Sequence, residues 1–238
     1  MVLTALVFSA APARSAEGIY LTWNECPLST LSASDFTASC AADSGEQSLY
    51  CAFTMPFALD SVIAVEITLD VQVAGSLPPY WEYAADGCRF GSLSAKSEFA
   101  AATACTDFWA GRAGMEGLAG YYAGEPRGGA GQARIRITFA VASGQYLRLD
   151  AERMYYAARV VFKNRRTTSC LGCSTPACLV LNSILIGRLP GAPGGDHVCL
   201  EVPGPNLANR ATWQGVGGDC NAVPVKVRTW GQLKSLYR

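Results

Sequence analysis

Three cysteines within nine residues, Cys170-x2-Cys173-x4-Cys178, constrain this chain more than any other feature. Crowding of that kind means crosslinks or a metal, and the redox compartment decides between them. A zinc site takes four ligands, usually from two short-spaced cysteine knuckles. Only one C-x2-C is present. The cysteines that follow, Cys199 and Cys220, are too far apart to make a second knuckle, although His197 could contribute a ligand. A redox C-x-x-C would open a helix in a thioredoxin-like unit, whereas a proline-containing loop and a strand-like run follow here. Crosslinking is the better reading. The chain has ten cysteines: Cys26, Cys40, Cys51, Cys88, Cys105, Cys170, Cys173, Cys178, Cys199 and Cys220. An even number after an apolar leader reads as a disulfide framework. Ten cysteines allow about 945 pairings, so spacing cannot choose among them. Nearness along the chain suggests Cys40 with Cys26 or Cys51, Cys88 with Cys105, one bridge inside 170–178, and Cys199 with Cys220.

The leader sets the compartment. Residues 2–12 form an apolar run of signal-peptide length, with small residues and candidate cleavage points at Ala13 and Ala16, though without a charged n-region. The run is too short to span a bilayer, and no other segment has the purity of a transmembrane helix. The reading is a signal peptide over 1–16, one β-domain over 17–222 and a basic tail over 223–238. The localisation it implies is export, to a periplasm, a cell surface or the medium.

Composition narrows the class. The chain is 50% hydrophobic and 16% charged, with 24 Gly and 12 Pro among 238 residues. Plentiful Val, Ile, Thr, Tyr and Phe with little charge favour an all-β domain and oppose disorder. A chain of this length buries about 70% of its unfolded surface, so disulfides would reinforce a core and not replace one. Net charge is zero, but residues 225–238 carry Lys226, Arg228, Lys234 and Arg238 with no acid. Nucleic-acid binding wants a broad cationic footprint, which this distribution does not offer.

Short strands broken by turn clusters run from Ile19 onward. Residues 61–73 alternate strictly, with Ile63, Val65, Ile67, Leu69 and Val71 on one side and Glu66 and Asp70 on the other, the pattern of a half-buried antiparallel strand. Residues 133–142, 155–163 and 177–189 read as further strong strands; 19–23, 50–57, 197–202 and 211–214 complete the set. Residues 97–111 suggest a short helix around Ala100, Ala101 and Ala102, and the glycine-rich stretch 111–131 reads as loop. Some eight to ten strands without alternating helices predict an antiparallel β-sandwich, jelly-roll-like, with long disulfide-tied loops. In the tail, Trp230, Leu233, Leu236 and Tyr237 share one helical face, so a short C-terminal helix is expected to dock on the domain, a partner or an anionic surface.

Catalytic constellations are thin. The only histidine, His197, lies in a Gly-Gly-Asp-His loop, and no G-x-S-x-G elbow is present. Glu66 and Asp70, four apart on one strand, stand about 13 Å apart, too far for a glycosidase pair. Glu82 has only a distant acid to work with. No clustered oxygen ligands suggest calcium. The pattern calls for no metal and no cofactor.

Aromatic residues in polar settings are the more informative signal. Tyr80, Trp81 and Tyr83 follow Pro78-Pro79, and Tyr121 and Tyr122 sit among glycines. Such rings can stack on sugars, which makes a carbohydrate-binding module one reading, with these five as ligand-binding residues. The plainer reading is that the tryptophan packs in the core.

The Trp23-Asn24-Glu25-Cys26 start, the Cys173-Ser174-Thr175-Pro176-Ala177-Cys178 run and the Trp230-Gly231-x-x-Lys234-Ser235-Leu236-Tyr237-Arg238 end resemble a group of exported bacterial proteins with no established activity. The resemblance covers most of the chain and implies export and a β-rich body. The expectation is therefore an exported, non-enzymatic structural or surface-interaction protein whose partner is a glycan or a cell-surface component. Carbohydrate binding stands second and a carboxylate-based glycoside hydrolase third.

Overall fold

The structure, a computed structural model, describes residues 17–98, 105–113, 118–215 and 220. The expected signal peptide over 1–16 and the expected tail anchors Trp230, Leu233, Leu236 and Tyr237 lie outside the described residues, as does the alanine run of the expected 97–111 helix.

Twelve strands lie among the described residues. In chain order they are β1 (Gly18–Trp23), β2 (Asp35–Phe36), β3 (Glu46–Thr54), β4 (Leu59–Val73), β5 (Leu93–Lys96), β6 (Leu118–Ala123), β7 (Gln132–Ala140), β8 (Leu147–Leu149), β9 (Tyr155–Lys163), β10 (Ala177–Arg188), β11 (His197–Leu200) and β12 (Arg210–Trp213). They form a four-stranded sheet in the order β1-β3-β9-β5 and an eight-stranded sheet in the order β2-β12-β10-β4-β7-β6. In the larger sheet β11 also pairs with β10, and β8 with β4. Every pairing between strands is antiparallel except β2 with β12. The chain crosses repeatedly between sheets, so neighbours such as β3 and β9 or β4 and β10 come from distant segments. This is the expected jelly-roll-like sandwich.

Local sequence explains the strands that alternation picks out. In β7, Ala133, Ile135, Ile137 and Phe139 face inward while Arg136, Thr138 and Ala140 face solvent. β4 behaves likewise from Val65 to Val73. Its first residues break the rule, because Ser61 adopts a left-handed backbone (φ 62°) and the register with β10 shifts near Arg188. Val62 is buried as a result, although strict alternation placed it on the outer face. A second bulge lies on β10 between Leu181 and Ser183, and Asn209 fills it by donating its side-chain amide to the Leu181 carbonyl at 3.0 Å.

The glycine-rich stretch 111–131 is not all loop. It contains β6, which pairs with β7 through Tyr121 opposite Ile135 and Tyr122 opposite Arg134. Gly120 lies under the Tyr122 ring, where a Cβ would press on it. Glycine weakens strand propensity locally, but pairing along the whole edge of β7 outweighs that.

One contiguous buried cluster draws on both sheets and is dominated by rings: Trp23, Trp81, Trp109, Trp213, Phe53, Phe139, Phe162, Tyr155 and Tyr156. Trp23, Trp81 and Trp213 meet at centroid distances of 5.6–5.8 Å. Each such pair contributes about 0.5–1.5 kcal/mol beyond area burial.

Four disulfides close the fold: Cys26–Cys105, Cys40–Cys173, Cys88–Cys170 and Cys178–Cys220. Crosslinking is as expected, but every pairing suggested by nearness is overturned. Cys40 joins neither Cys26 nor Cys51, and Cys88 does not join Cys105. No bridge lies within 170–178, and Cys220 pairs with Cys178 and not Cys199. Cys51, buried, and Cys199, exposed, are free thiols. The reason lies in where the crowded run points. Cys170 and Cys173 sit in a turn, and Cys178 lies on β10 between inward-facing Ala177 and Leu179, so it faces out. The three sulfurs therefore diverge and reach partners 82, 133 and 42 residues away. Gly172 makes the turn possible. Its φ is 100°, and a Cβ there would overlap the ring of Pro78.

Candidate functional site

The aromatic segment expected to face a ligand is folded into the protein. Pro79–Trp81 form a single 3-10 turn, and Tyr80, Trp81 and Tyr83 are 1%, 0% and 5% exposed. Tyr80 and Trp81 pack against Trp213 at 5.5 and 5.6 Å, and Trp81 and Tyr83 pack on Phe162. Tyr121 is drawn in with them. It donates its hydroxyl to the Trp81 carbonyl at 2.6 Å and meets the Tyr83 ring edge-on. None of these four offers an open ring face to a sugar. Apolar area drives the inversion, because burying a large side chain gains about 1.5–3 kcal/mol.

Sequence reasoning missed the residue at the centre of this corner. Arg89 is fully buried, and its guanidinium lies 4.0 Å over the Tyr80 ring and 5.7 Å from that of Tyr83. One of its Nη2 protons goes to the Lys163 carbonyl. The loop that carries it is tied down by Cys88–Cys170 and by the Arg89 amide donating to the Glu82 carbonyl at 3.0 Å. A Cys-Arg pair in a loop gives no sign of such burial, since arginines in loops are ordinarily solvated.

Tyr122 alone among the five candidate rings faces solvent, at 44% exposure, on the outer face of the larger sheet. Register places it in a row that crosses five strands: Arg210 on β12, Val180 on β10, Asp70 on β4, Arg134 on β7 and Tyr122 on β6. Asp70 and Arg134 form a two-pronged ion pair, Nε to Oδ1 at 2.7 Å and Nη2 to Oδ2 at 2.9 Å. The Asp70 hydrogen bond holds the Arg134 guanidinium above its usual pKa. Glu125 stands 3.9 Å from Arg134 and 3.6 Å from Arg136, whose guanidinium lies 5.5 Å from the Tyr122 ring. Glu66 and Asp70 do share this face, as alternation required, but Asp70 is committed to Arg134. They form no catalytic pair.

At the other end of that face a groove of about 320 Å³ opens between β1, β2, β12 and the turn Pro205–Leu207. Thr22, Asp35, Arg210 and Thr212 bring polar groups to it, and Leu207 adds an exposed apolar wall. Asp35 accepts from the Thr212 hydroxyl at 2.7 Å, while Arg210 donates to the Cys220 carbonyl at 2.8 Å. The groove thus offers a carboxylate, a guanidinium and hydroxyls beside an apolar surface. Its polar groups suit contact with a polar partner, and the carboxylate–hydroxyl pair it holds, Asp35 with Thr212, is exposed.

The titratable side chains of His197, Cys51 and Cys199 lie apart from both the corner and the groove. His197 is exposed, with Nδ1 2.7 Å from the Asp196 carboxylate, and that contact holds Asp196 below the usual carboxylate range. Burial pushes the free thiol of Cys51 up to about 12. Burial, with Glu201 nearby, pushes Cys199 up to about 11. Neither thiol is activated as a nucleophile, which would need a lowered pKa. No helix among the described residues is long and apolar enough to cross a membrane.

No family model and no curated protein match this chain. Among solved structures, one described as "AvmM Catalyzes Macrocyclization in Alchivemycin A Biosynthesis" aligns over 84% of this chain and 90% of its own, at 13% identity and a TM-score of 0.36. At that score neither fold nor activity carries over from it.

Proposed function

We propose that this chain is an exported, disulfide-stapled β-sandwich with a non-enzymatic structural or surface-interaction role, acting where thiols are oxidised. The disulfide framework carries the reading. Four bridges with sequence separations of 42 to 133 residues join loops to one another and, through Cys178, to β10, and such frameworks persist in oxidising compartments. In the chain-entropy description, loops of this size are worth about 4–5 kcal/mol each, a reinforcement suited to conditions outside the cell. The apolar leader and the resemblance to exported bacterial proteins point the same way. For the interaction itself, the groove beside Asp35 and Arg210 is the surface best equipped. The carbohydrate reading keeps only Tyr122 of its five rings at solvent, and the hydrolase reading finds no converging carboxylates among the described residues.

Mass spectrometry of the natively produced protein tests the compartment. Four bridges and two thiols are expected, with Cys199 alkylated slowly in the folded protein and Cys51 only after unfolding. Ten free thiols in protein recovered from its own cells would overturn the reading.

A further inference from the structure

The aromatic corner holds a concentration of unanswered hydrogen-bond donors. Of the eleven buried side-chain polar atoms without a partner among the described residues, four belong to this one cluster: Arg89 Nε and Nη1, Trp81 Nε1 and Tyr83 Oη. The other three buried tryptophans all donate to main-chain carbonyls. Trp23 reaches Thr212 at 2.8 Å, Trp109 reaches Ala157 at 3.0 Å and Trp213 reaches Cys173 at 2.7 Å. Trp81 is the exception among them. The groups are close together: Arg89 lies 4.0 Å over Tyr80 and 5.7 Å from the Tyr83 ring, and Trp81 is 5.6 Å from Tyr80 and 6.3 Å from Tyr83.

Charge sharpens the point. Arg89 is completely buried and forms no ion pair among the described residues. The acid that feels its charge, Asp43, is exposed and is turned to the Thr168 amide and hydroxyl, both at 2.8 Å. A buried cation without a counter-charge is among the most destabilising arrangements a fold can hold. The faces of Tyr80 and Tyr83 offset part of that cost. They leave the N–H donors unanswered. All four orphaned atoms can donate a proton, and three of them, the two on Arg89 and the one on Trp81, cannot accept one.

We propose that Arg89, Trp81 and Tyr83 form a binding site for a small monovalent anion of halide size, which neutralises the guanidinium and receives the N–H and O–H donors. The site locks the 82–92 loop to the sandwich, alongside the Cys88–Cys170 bridge. An anion fits this donor set better than water, which would leave the charge uncompensated. It fits better than a cation, which the guanidinium would repel.

Thermal melts of the full chain at fixed ionic strength, in sodium gluconate against sodium bromide or chloride, test this. A saturable halide-dependent rise is expected, about 3–6 °C at tenfold excess over the dissociation constant. Trp81→Phe keeps the ring and removes one donor, and should weaken halide affinity severalfold. Arg89→Met should abolish the dependence. If Arg89→Met does not fold, wild type and Trp81→Phe decide. Bromide-soaked crystals should show an anomalous peak beside Arg89. Equal melting in gluconate and halide, with no such peak, would mean that water alone serves these donors and would overturn the proposal.

Discussion

Two arginines show how differently this protein treats the same side chain. Arg134 stands on the outer face of the larger sheet, half-buried, with Asp70 gripping it by two hydrogen bonds and Glu125 near by. Arg89 lies wholly inside a corner of aromatic rings, with one carbonyl as the only hydrogen-bond partner of its guanidinium among the described residues. Tyrosines accompany both, Tyr122 beside the first arginine's row and Tyr80 and Tyr83 beside the second. The ingredients match, but the backbone differs. A strand fixes which way Arg134 points by its period of two. A disulfide-tied loop carries no period, so its side chains go wherever packing is best.

The contrast can be broken most forcefully at Trp81. Truncation of a fully buried tryptophan costs about 3–5 kcal/mol, so Trp81→Ala should show a large loss of stability in urea or thermal unfolding. Tyr122→Ala, on the exposed row, should stay within about 0.5 kcal/mol. Comparable losses for the two would erase the distinction between corner and face.

Asp70→Asn should come next. It removes the counter-charge from a half-buried guanidinium and should cost about 1–3 kcal/mol. The penalty should shrink when Arg134→Leu is added, because the stranded charge is then gone. A double mutant as unstable as the sum of the two singles would show that the pair is not coupled.

The smallest effect concerns pH. Burial raises the Tyr83 phenol well above its usual range. In the unfolded chain it ionises near pH 10, whereas in the folded protein it resists, so the folded state binds the extra proton. Stability from this group is therefore intact below that pH and is lost as pH rises further. Tyr83→Phe should flatten the alkaline limb of the stability profile, measured as melting temperature from pH 8 upward, while the limb stays steep in Tyr122→Phe. An unchanged alkaline limb in Tyr83→Phe would place its phenol in water.

How much of this was legible beforehand follows the same division. Residues 155–163 read as a strand and are one, residue for residue, and the inward and outward sets of β7 were visible in Ile135, Ile137, Phe139 and their neighbours. The short strands β2, β5 and β8 escaped because two to four residues display little of a period, although β11 and β12, at four residues each, were legible. β6 escaped because the glycines around it imitate a loop. The aromatic segment was visible as an unusual cluster. Its direction was not, since Tyr and Trp serve equally at surfaces and in cores.

The crowded cysteine run makes the boundary plain. By itself the sequence determined that the chain is a β-protein held by crosslinks, because alternation and cysteine count are local properties. Only the tertiary structure decided that Cys170, Cys173 and Cys178 reach three separate partners and that Cys51 and Cys199 stay free. A disulfide needs two Cα atoms about 5–6 Å apart with their side chains facing each other. That condition belongs to three-dimensional packing, so separation along the chain cannot reveal it. Arg89 obeys the same rule: its composition said charge, and only the packed corner said where the charge would be kept.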